Sequence, residues 1–461
     1  MSLPSLPALS YGPAQAVARG LHRRSRPAPA VESVMSADEG LWLTRILVVG
    51  LWLSWIASFL LVHTASGQTD IEGRIHIVTH KTLFFYAAHA GSIGCALMSG
   101  MVALAHGARR RMPWSANFAL LVMAYTAVVW AMIGYKPAEI FSSRIFSETG
   151  PFVWLILIAG YAGTDERVWP AVDKTIRAIA FTSAAIAVFG LLRPSTFQQY
   201  YTFSPFLLYC KDLTVFGGWA LLRGADKRGW VRLAHCIPWG MLVVTAVYAQ
   251  GRSWLINAGL LLTLYLWLPG RRGESRFARA FPLLASSAGV LLLVLITRLH
   301  SRFESALNLL HSRLYEDTRS EQIRDFLLDM KTWDFVFGRG PQGTWYWHGV
   351  GNYQFLDNAY LWMLFVGGVP ILVGYVLFVV WPAARVFLHR PSGLDAVAAC
   401  VVVVWAIELT GLSTFTHPSL DEPSFLIALM AGRCHGALTR LRAELPIQRS
   451  LRGRYVFTRP V

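Results

Sequence analysis

The sequence predicts an all-α polytopic membrane protein, with about twelve transmembrane helices and one large helical extracytoplasmic loop. Three observations predict it. Of 461 residues, 54% are hydrophobic and only 15% charged, with a mean hydropathy of +0.44, well outside the range of soluble domains. Apolar runs of roughly 20 residues, the length that crosses a bilayer, recur near 42–63, 82–106, 115–135, 147–163, 175–192, 203–222, 233–250, 253–270, 280–297, 357–381, 394–415 and 424–440. The Lys and Arg residues behind a net charge of +16 fall in short clusters between these runs. That distribution reads as membrane topology and argues against a nucleic-acid partner, which would need the charge on one face or tail.

Taken in order, residues 1–38 are rich in Pro, Ala and Ser, carry Arg19, Arg23, Arg24 and Arg26, lack helical periodicity, and read as a disordered basic tail. The first apolar run lies too far into the chain, and lacks the small-residue pattern, for a cleaved signal peptide. It is expected to remain as a span. Residues 39–297 then supply spans one to nine, 298–356 the large loop, 357–442 spans ten to twelve, and 443–461 a second basic tail. The connections alternate in charge. One side holds the tails, Arg109 to Arg111, Arg223 to Arg232, Arg271 to Arg279 and Arg385 to Arg390; the other holds little beyond Arg74, Lys136, Arg144, Arg193 and Arg252. The positive-inside rule therefore puts both termini in the cytoplasm and the large loop outside. Cys95, Cys210, Cys236, Cys400 and Cys434 fall in or beside apolar runs without ligand spacing, which supports neither disulfides nor a metal site.

The loop has its own pattern. Leu299, Phe303, Leu307, Leu310 and Leu314 recur at helical spacing, and Thr318-Arg319-Ser320-Glu321 reads as a capping box opening a second helix through Ile323, Phe326, Leu327 and Met330. The stretch FGRGPQGTWYWHGVGNYQFLDNAYLWMLFVGGVP follows. Gly338, Gly340 and Gly343 spell G-x-G-x-x-G, but that fingerprint binds dinucleotides only between a strand and a helix of a βαβ unit. Here it follows a helix in an outer loop, so the glycines are expected to turn the backbone beside the membrane or approach a ligand.

Several residues are candidates for chemistry. Arg252 and Arg193 lie beside short outer connections, where each either snorkels to headgroups or clamps an anion with its guanidinium fork. Arg319 falls in the first turn of the second loop helix, where free N–H groups favour an anion; its alternative is pairing with Glu316, Asp317 or Glu321. Lys211 and Asp212 fall about two turns into the sixth span and, as adjacent residues, must each meet a partner on another helix. Asp357 precedes the tenth span as its expected N-cap, and a carboxylate there is also able to take a proton from a sugar hydroxyl. His348 is the alternative base, although among Trp345, Tyr346 and Trp347 it also reads as part of an interfacial aromatic belt.

Three motifs in this order resemble the O-antigen ligase and Wzy-type polysaccharide polymerase superfamily of GT-C-like membrane glycosyltransferases. They are GRSWLINAGLLL with Arg252, TRSEQIRDFLLDMKTWDFVFGRGPQG with Arg319, Gly338 and Gly340, and LDNAYLWMLFVGG with Asn358, Tyr360, Leu361, Leu364 and Gly368. Two positions depart from the pattern: the family's histidine is Asp357 here and its glutamate is Val366. The resemblance implies a bacterial inner-membrane enzyme that joins two polyprenyl-diphosphate-linked saccharides on the outer face, without cofactor, metal or nucleotide sugar. Arg252, Arg319 and Arg193 would hold the diphosphate and Asp357 or His348 would act as base. Implied partners are the lipid-linked donor and acceptor, membrane lipids, and a flippase and chain-length regulator of the same pathway. The histidine departure favours a repeat-unit polymerase over a ligase, with a transporter of the same lipid-linked saccharides as the reading from another class.

Overall fold

The computed structural model describes residues 37–63, 65–69, 75–79, 81–134, 151–192, 205–248, 251–268, 318–340, 343–348, 351–353, 356–389, 392–410 and 422–455, with a few positions between 280 and 289. Nearly all of the N-terminal tail, Arg193, most of the ninth expected span and the first loop helix lie outside the described residues.

The described residues are mostly helical. In chain order they form α1 (Ala37–His63), a hairpin β1 (Ala65–Thr69) and β2 (Ile75–Thr79), α2 (Leu83–Ala105), α3 (Trp114–Gly134) and α4 (Trp169–Leu192). Next come α5 (Pro205–Asp212) and α6 (Gly218–Gly224), joined by a π-turn over Leu213–Gly217, then α7 (Gly229–Tyr248) and α8 (Arg252–Trp267). The loop contributes α9 (Thr318–Asp329), α10 (Thr332–Phe337) and a second hairpin, β3 (Trp345–Trp347) with β4 (Gly351–Tyr353). Last are α11 (Ala359–Tyr375), a π-turn over Val376–Val380, α12 (Trp381–Leu388), α13 (Gly393–Glu408) and α14 (Glu422–Tyr455). Among the described residues, five helical stretches are long and apolar enough to cross a membrane: Asp38–Leu61, Leu83–Ala105, Glu166–Leu192, Gly229–Tyr248 and Ala359–Leu388.

One expected element comes out differently. The fourth run, expected as a span over 147–163, is a 3-10 stretch over Pro151–Ala159 closing in an α-turn, Gly160–Gly163. That turn lies backbone against backbone on α14, where a Cβ on Gly432 would stand 1.7 Å from the Gly160 carbonyl oxygen, a close approach that small residues permit between membrane helices. The last helix runs on from the twelfth expected span into the basic C-terminal segment, as far as Tyr455. Both strand pairs are short antiparallel hairpins in connections between helices. They leave the helical character of the chain intact.

α11 determines where the loop sits. Its backbone leaves the helical region at Gly368 (φ 67°, ψ −167°), and Pro370 follows. In an unbroken helix the carbonyls of Phe365 and Val366 would accept from the N–H groups of residues 369 and 370, but proline has no N–H to give. The loop supplies the missing donors: Arg339 N–H reaches the Phe365 oxygen at 2.6 Å and Gly340 N–H reaches Val366 at 3.0 Å. Such a break is tolerated at membrane depth only where protein satisfies the freed groups. The fit is backbone on backbone, because a Cβ on Gly338 would stand 2.6 Å from the Gly367 nitrogen and one on Gly368 2.2 Å from the Val336 oxygen. Gly338 itself adopts φ 74°, ψ 171°, a region essentially closed to other residues.

Gly338→Ala is therefore expected to cost about 3 kcal/mol, since strain and backbone collision add. Gly107, also at positive φ (78°) but with open space where its Cβ would go, should lose only about 1–2 kcal/mol on the same change. Thermal melting of the two variants in detergent checks this; equal shifts would contradict the clasp.

Candidate functional site

The loop is anchored to α11 at three levels. Lowest is the glycine clasp. Above it, Arg339 fixes the end of α9: its guanidinium pairs with Asp329 and, at 2.8 Å, with Asp334, and donates to the Asp329 carbonyl at 2.6 Å and the Thr344 carbonyl at 2.8 Å. Partial burial opposes ionisation of Asp334, but the Lys331 N–H and the Arg339 guanidinium outweigh it and hold this carboxyl below its ordinary value. A depressed carboxylate stabilises the fold at every pH above its unfolded pKa, near 3.9. This ion cluster is thus intact throughout the neutral range.

The third anchor is aromatic. Phe326 of α9 meets Trp345 of β3 edge-on at 5.7 Å and Phe365 of α11 at 5.9 Å, and Phe326, Trp345 and Phe365 are all essentially inaccessible to solvent. The sequence placed Trp345 in an aromatic belt; it is instead the core that joins hairpin, loop helix and membrane helix. Gln322 and Phe326, with Met330 just past the end of α9, form its buried stripe, one turn apart as helical geometry requires.

At the start of this stripe α9 meets the segment that leads into α11. Gln322 accepts the Asp357 N–H on its Oε1 at 3.1 Å, so α9 is bonded to the start of α11. Arg319 stands on α9 one turn before Gln322, about 4.5 Å along the helix axis, inside the first turn of that helix. Asp357 is half-buried, and its charge, secondary to burial, raises the nearby Tyr353 phenol. Asp357 is not the cap. That role belongs to Asn358, whose Oδ1 accepts from Tyr360 N–H at 3.0 Å and Leu361 N–H at 3.1 Å. Asn358 also donates to the Thr410 carbonyl at 3.0 Å, and Tyr360 to the Ala406 carbonyl at 2.8 Å. With Ala359 N–H on the Leu409 carbonyl at 2.9 Å, these bonds tie the start of α11 to the end of α13.

Beside that junction lie buried ionisable side chains. Glu408, the last residue of α13, is fully buried, and neither of its oxygens meets a hydrogen-bond donor among the described residues. Lys211 of α5 lies within electrostatic reach. Asp212 takes the partners on other helices that adjacency demanded: Trp55 Nε1 of α1 and Ser183 Oγ of α4, each at 2.9 Å. Sequence reasoning missed Glu408, although an acid inside VVVVWAIELTGL was the signal. It missed Gln322 too, the polar member of the α9 stripe.

Arg252 opens α8 at the same end and is half-buried. The route to it runs from Lys211 to its neighbour Cys210, which contacts Thr245 of α7 at 3.5 Å, and α7 ends at Tyr248 just before Arg252. His348 and Asp357 are each bonded to α9, one turn apart, through Asp325 and Gln322. His348 is exposed at the tip of the β3–β4 hairpin, where its N–H donates to Asp325 at 3.2 Å. The opposite end of that hairpin, where Trp345 pairs with Tyr353, is about 10 Å away at strand rise and leads to Asp357. Val366, standing where the resemblance has glutamate, is buried against the glycine loop. Among the described residues no group of three or more His, Cys, Asp or Glu is placed to hold a metal ion.

Compared with family models, curated proteins and solved structures, the chain matches none.

The cap assignment predicts that Asn358→Ala costs about 1 kcal/mol, whereas Asp357→Ala changes stability by less than about 0.5 kcal/mol. Melting of the two variants in detergent checks it, and the reverse order would restore Asp357 as the cap.

Proposed function

We propose that this chain is a membrane glycosyltransferase of the polysaccharide polymerase type, joining polyprenyl-diphosphate-linked repeat units at the outer face of a bacterial inner membrane. In the reaction, a hydroxyl oxygen of the acceptor unit attacks the anomeric carbon of the donor chain. The bond from that carbon to the diphosphate oxygen breaks, the hydroxyl proton passes to Asp357, and the lipid diphosphate departs with its negative charge. Arg319, Arg252 and Arg193 meet that charge, since guanidinium matches phosphate oxygens bidentately and fixed positive groups stabilise charge as it develops.

The observation that carries this reading is the Gln322–Asp357 hydrogen bond of 3.1 Å. It ties the helix bearing Arg319 to the proposed base, which is the pairing that acid–base and leaving-group chemistry require at one reacting centre. The half-buried start of α8 at Arg252 and the ordered motifs of the sequence support it further. Asn358 and Tyr360, both bonded to the end of α13, would hold the base in position. Lys211 and Asp212 are supporting charges beside it.

The test is to reconstitute the purified protein with a defined polyprenyl-diphosphate repeat unit, alone or with a lipid A core acceptor. Chain-length ladders without the core are the expected result. Transfer only onto the core would make the chain a ligase, and no glycosidic product in either arm would overturn the enzyme reading in favour of a transporter. Asp357→Asn is expected to lower the rate by about 10²–10⁴-fold, the contribution of a positioned base. Arg252→Ala and Arg319→Ala are expected to abolish product with membrane insertion unchanged; wild-type yield from either removes that arginine from the site.

A further inference from the structure

α10 and the end of α9 expose a run of large apolar side chains: Leu327 at 45%, Leu328 at 79%, Trp333 at 71%, Val336 at 37% and Phe337 at 57%. Trp333 and Phe337 stack on one another at 5.7 Å and so present one surface. Such a patch marks an interaction site when contiguous. What covers it follows from the clasp. A Cβ on Gly368 would meet the backbone of Val336 and Phe337, and Gly368 is followed by Val369 and Val373, each 45% exposed on α11. The exposed face of α10 therefore continues directly into the exposed face of a helix long and apolar enough to span a membrane.

Its depth can be counted. Arg385 is the first charge toward the far end of the Ala359–Leu388 stretch. A hydrocarbon layer of about 30 Å takes about twenty helical residues. Counted back from Arg385, the layer ends near Phe365, the level at which Arg339 and Gly340 hold the loop. Arg324 precedes the apolar side chains and Lys331 falls among them, both exposed, and apolar faces with basic residues beside them suit the boundary between headgroups and acyl chains.

We propose that Leu327, Leu328, Trp333, Val336 and Phe337 seat in the outer leaflet of the bilayer, so that the loop is a monotopic anchor held at fixed depth by its backbone bonds to α11. Its occupant is lipid, not a protein partner. The proposal rests on α11 crossing the membrane and is independent of the reaction argued above.

Spin labels at Trp333→Cys, Phe337→Cys, Lys331→Cys and Val373→Cys, in a Cys95→Ala background because the other native cysteines are buried, are read in proteoliposomes. Accessibility to oxygen is compared with accessibility to a water-soluble nickel complex. Labels at 333 and 337 are expected to favour oxygen as the label at 373 does, and the label at 331 to favour nickel. Labels at 333 and 337 that follow 331 while 373 favours oxygen would overturn the proposal and leave α11 in the membrane. Labels at 333 and 337 shielded from both reagents would overturn it in favour of a second protein surface. Nickel access at 373 would remove α11 from the bilayer and the proposal with it.

Discussion

Proline at position 370 deprives α11 of a backbone donor, and the geometry of the outer end follows from how that loss is made good. A carbonyl without a partner at membrane depth costs several kcal/mol, so the break at Gly368 is stable only with the loop in place. Arg339 and Gly340 give their N–H groups to Phe365 and Val366, and the same Arg339 side chain holds the end of α9 through Asp329. Gln322, near the start of α9, then bonds Asp357. A loop of about sixty residues, which would otherwise move freely, is thereby fixed at both ends of its second helix.

The ionisable side chains beside the junction are buried. Asp212 is fully buried and accepts from both Trp55 and Ser183 on one carboxylate oxygen, Oδ2, which joins α1, α4 and α5 just before the π-turn. Such turns are frequent at functional sites. Glu408 and Lys211 sit on separate helices, each nine-tenths buried or more, and within electrostatic reach of one another. At the other end of the bundle Asp173 gathers Arg177, Arg223 and the Trp219 indole, and Asp395 gathers Arg433 and Arg440. These clusters close the end expected to face the cytoplasm.

Much of this was legible. Apolar run length located the long helices, because only hydrocarbon thickness sets that length, and helical periodicity with a polar first turn located α9 at Thr318. Context ruled out a nucleotide cradle for the glycines, and their real use, against the broken α11, became visible only once Val366 was matched to Pro370. Asp357 and Asn358 are both good caps, and sequence alone leaves the register between them open; the tertiary bonds of Asn358 and Ala359 to Thr410 and Leu409 fix it. Trp345 was misread because a buried aromatic cluster and an interfacial belt share one composition. The turn that follows the 3-10 stretch Pro151–Ala159 packs closely on α14 through Gly160 and Gly432, a long-range partner that no local pattern announces.

The central claim is that the loop is bonded to α11 at the level of its break. Amide hydrogen exchange of residues 338–340 in lipid nanodiscs reads this directly, because bonded amides exchange only through opening. The account predicts that the Arg339 and Gly340 amides are protected to the same degree as the amides of α11 itself. Exchange as fast as that of the exposed residues at the hairpin tip, around His348, would contradict it.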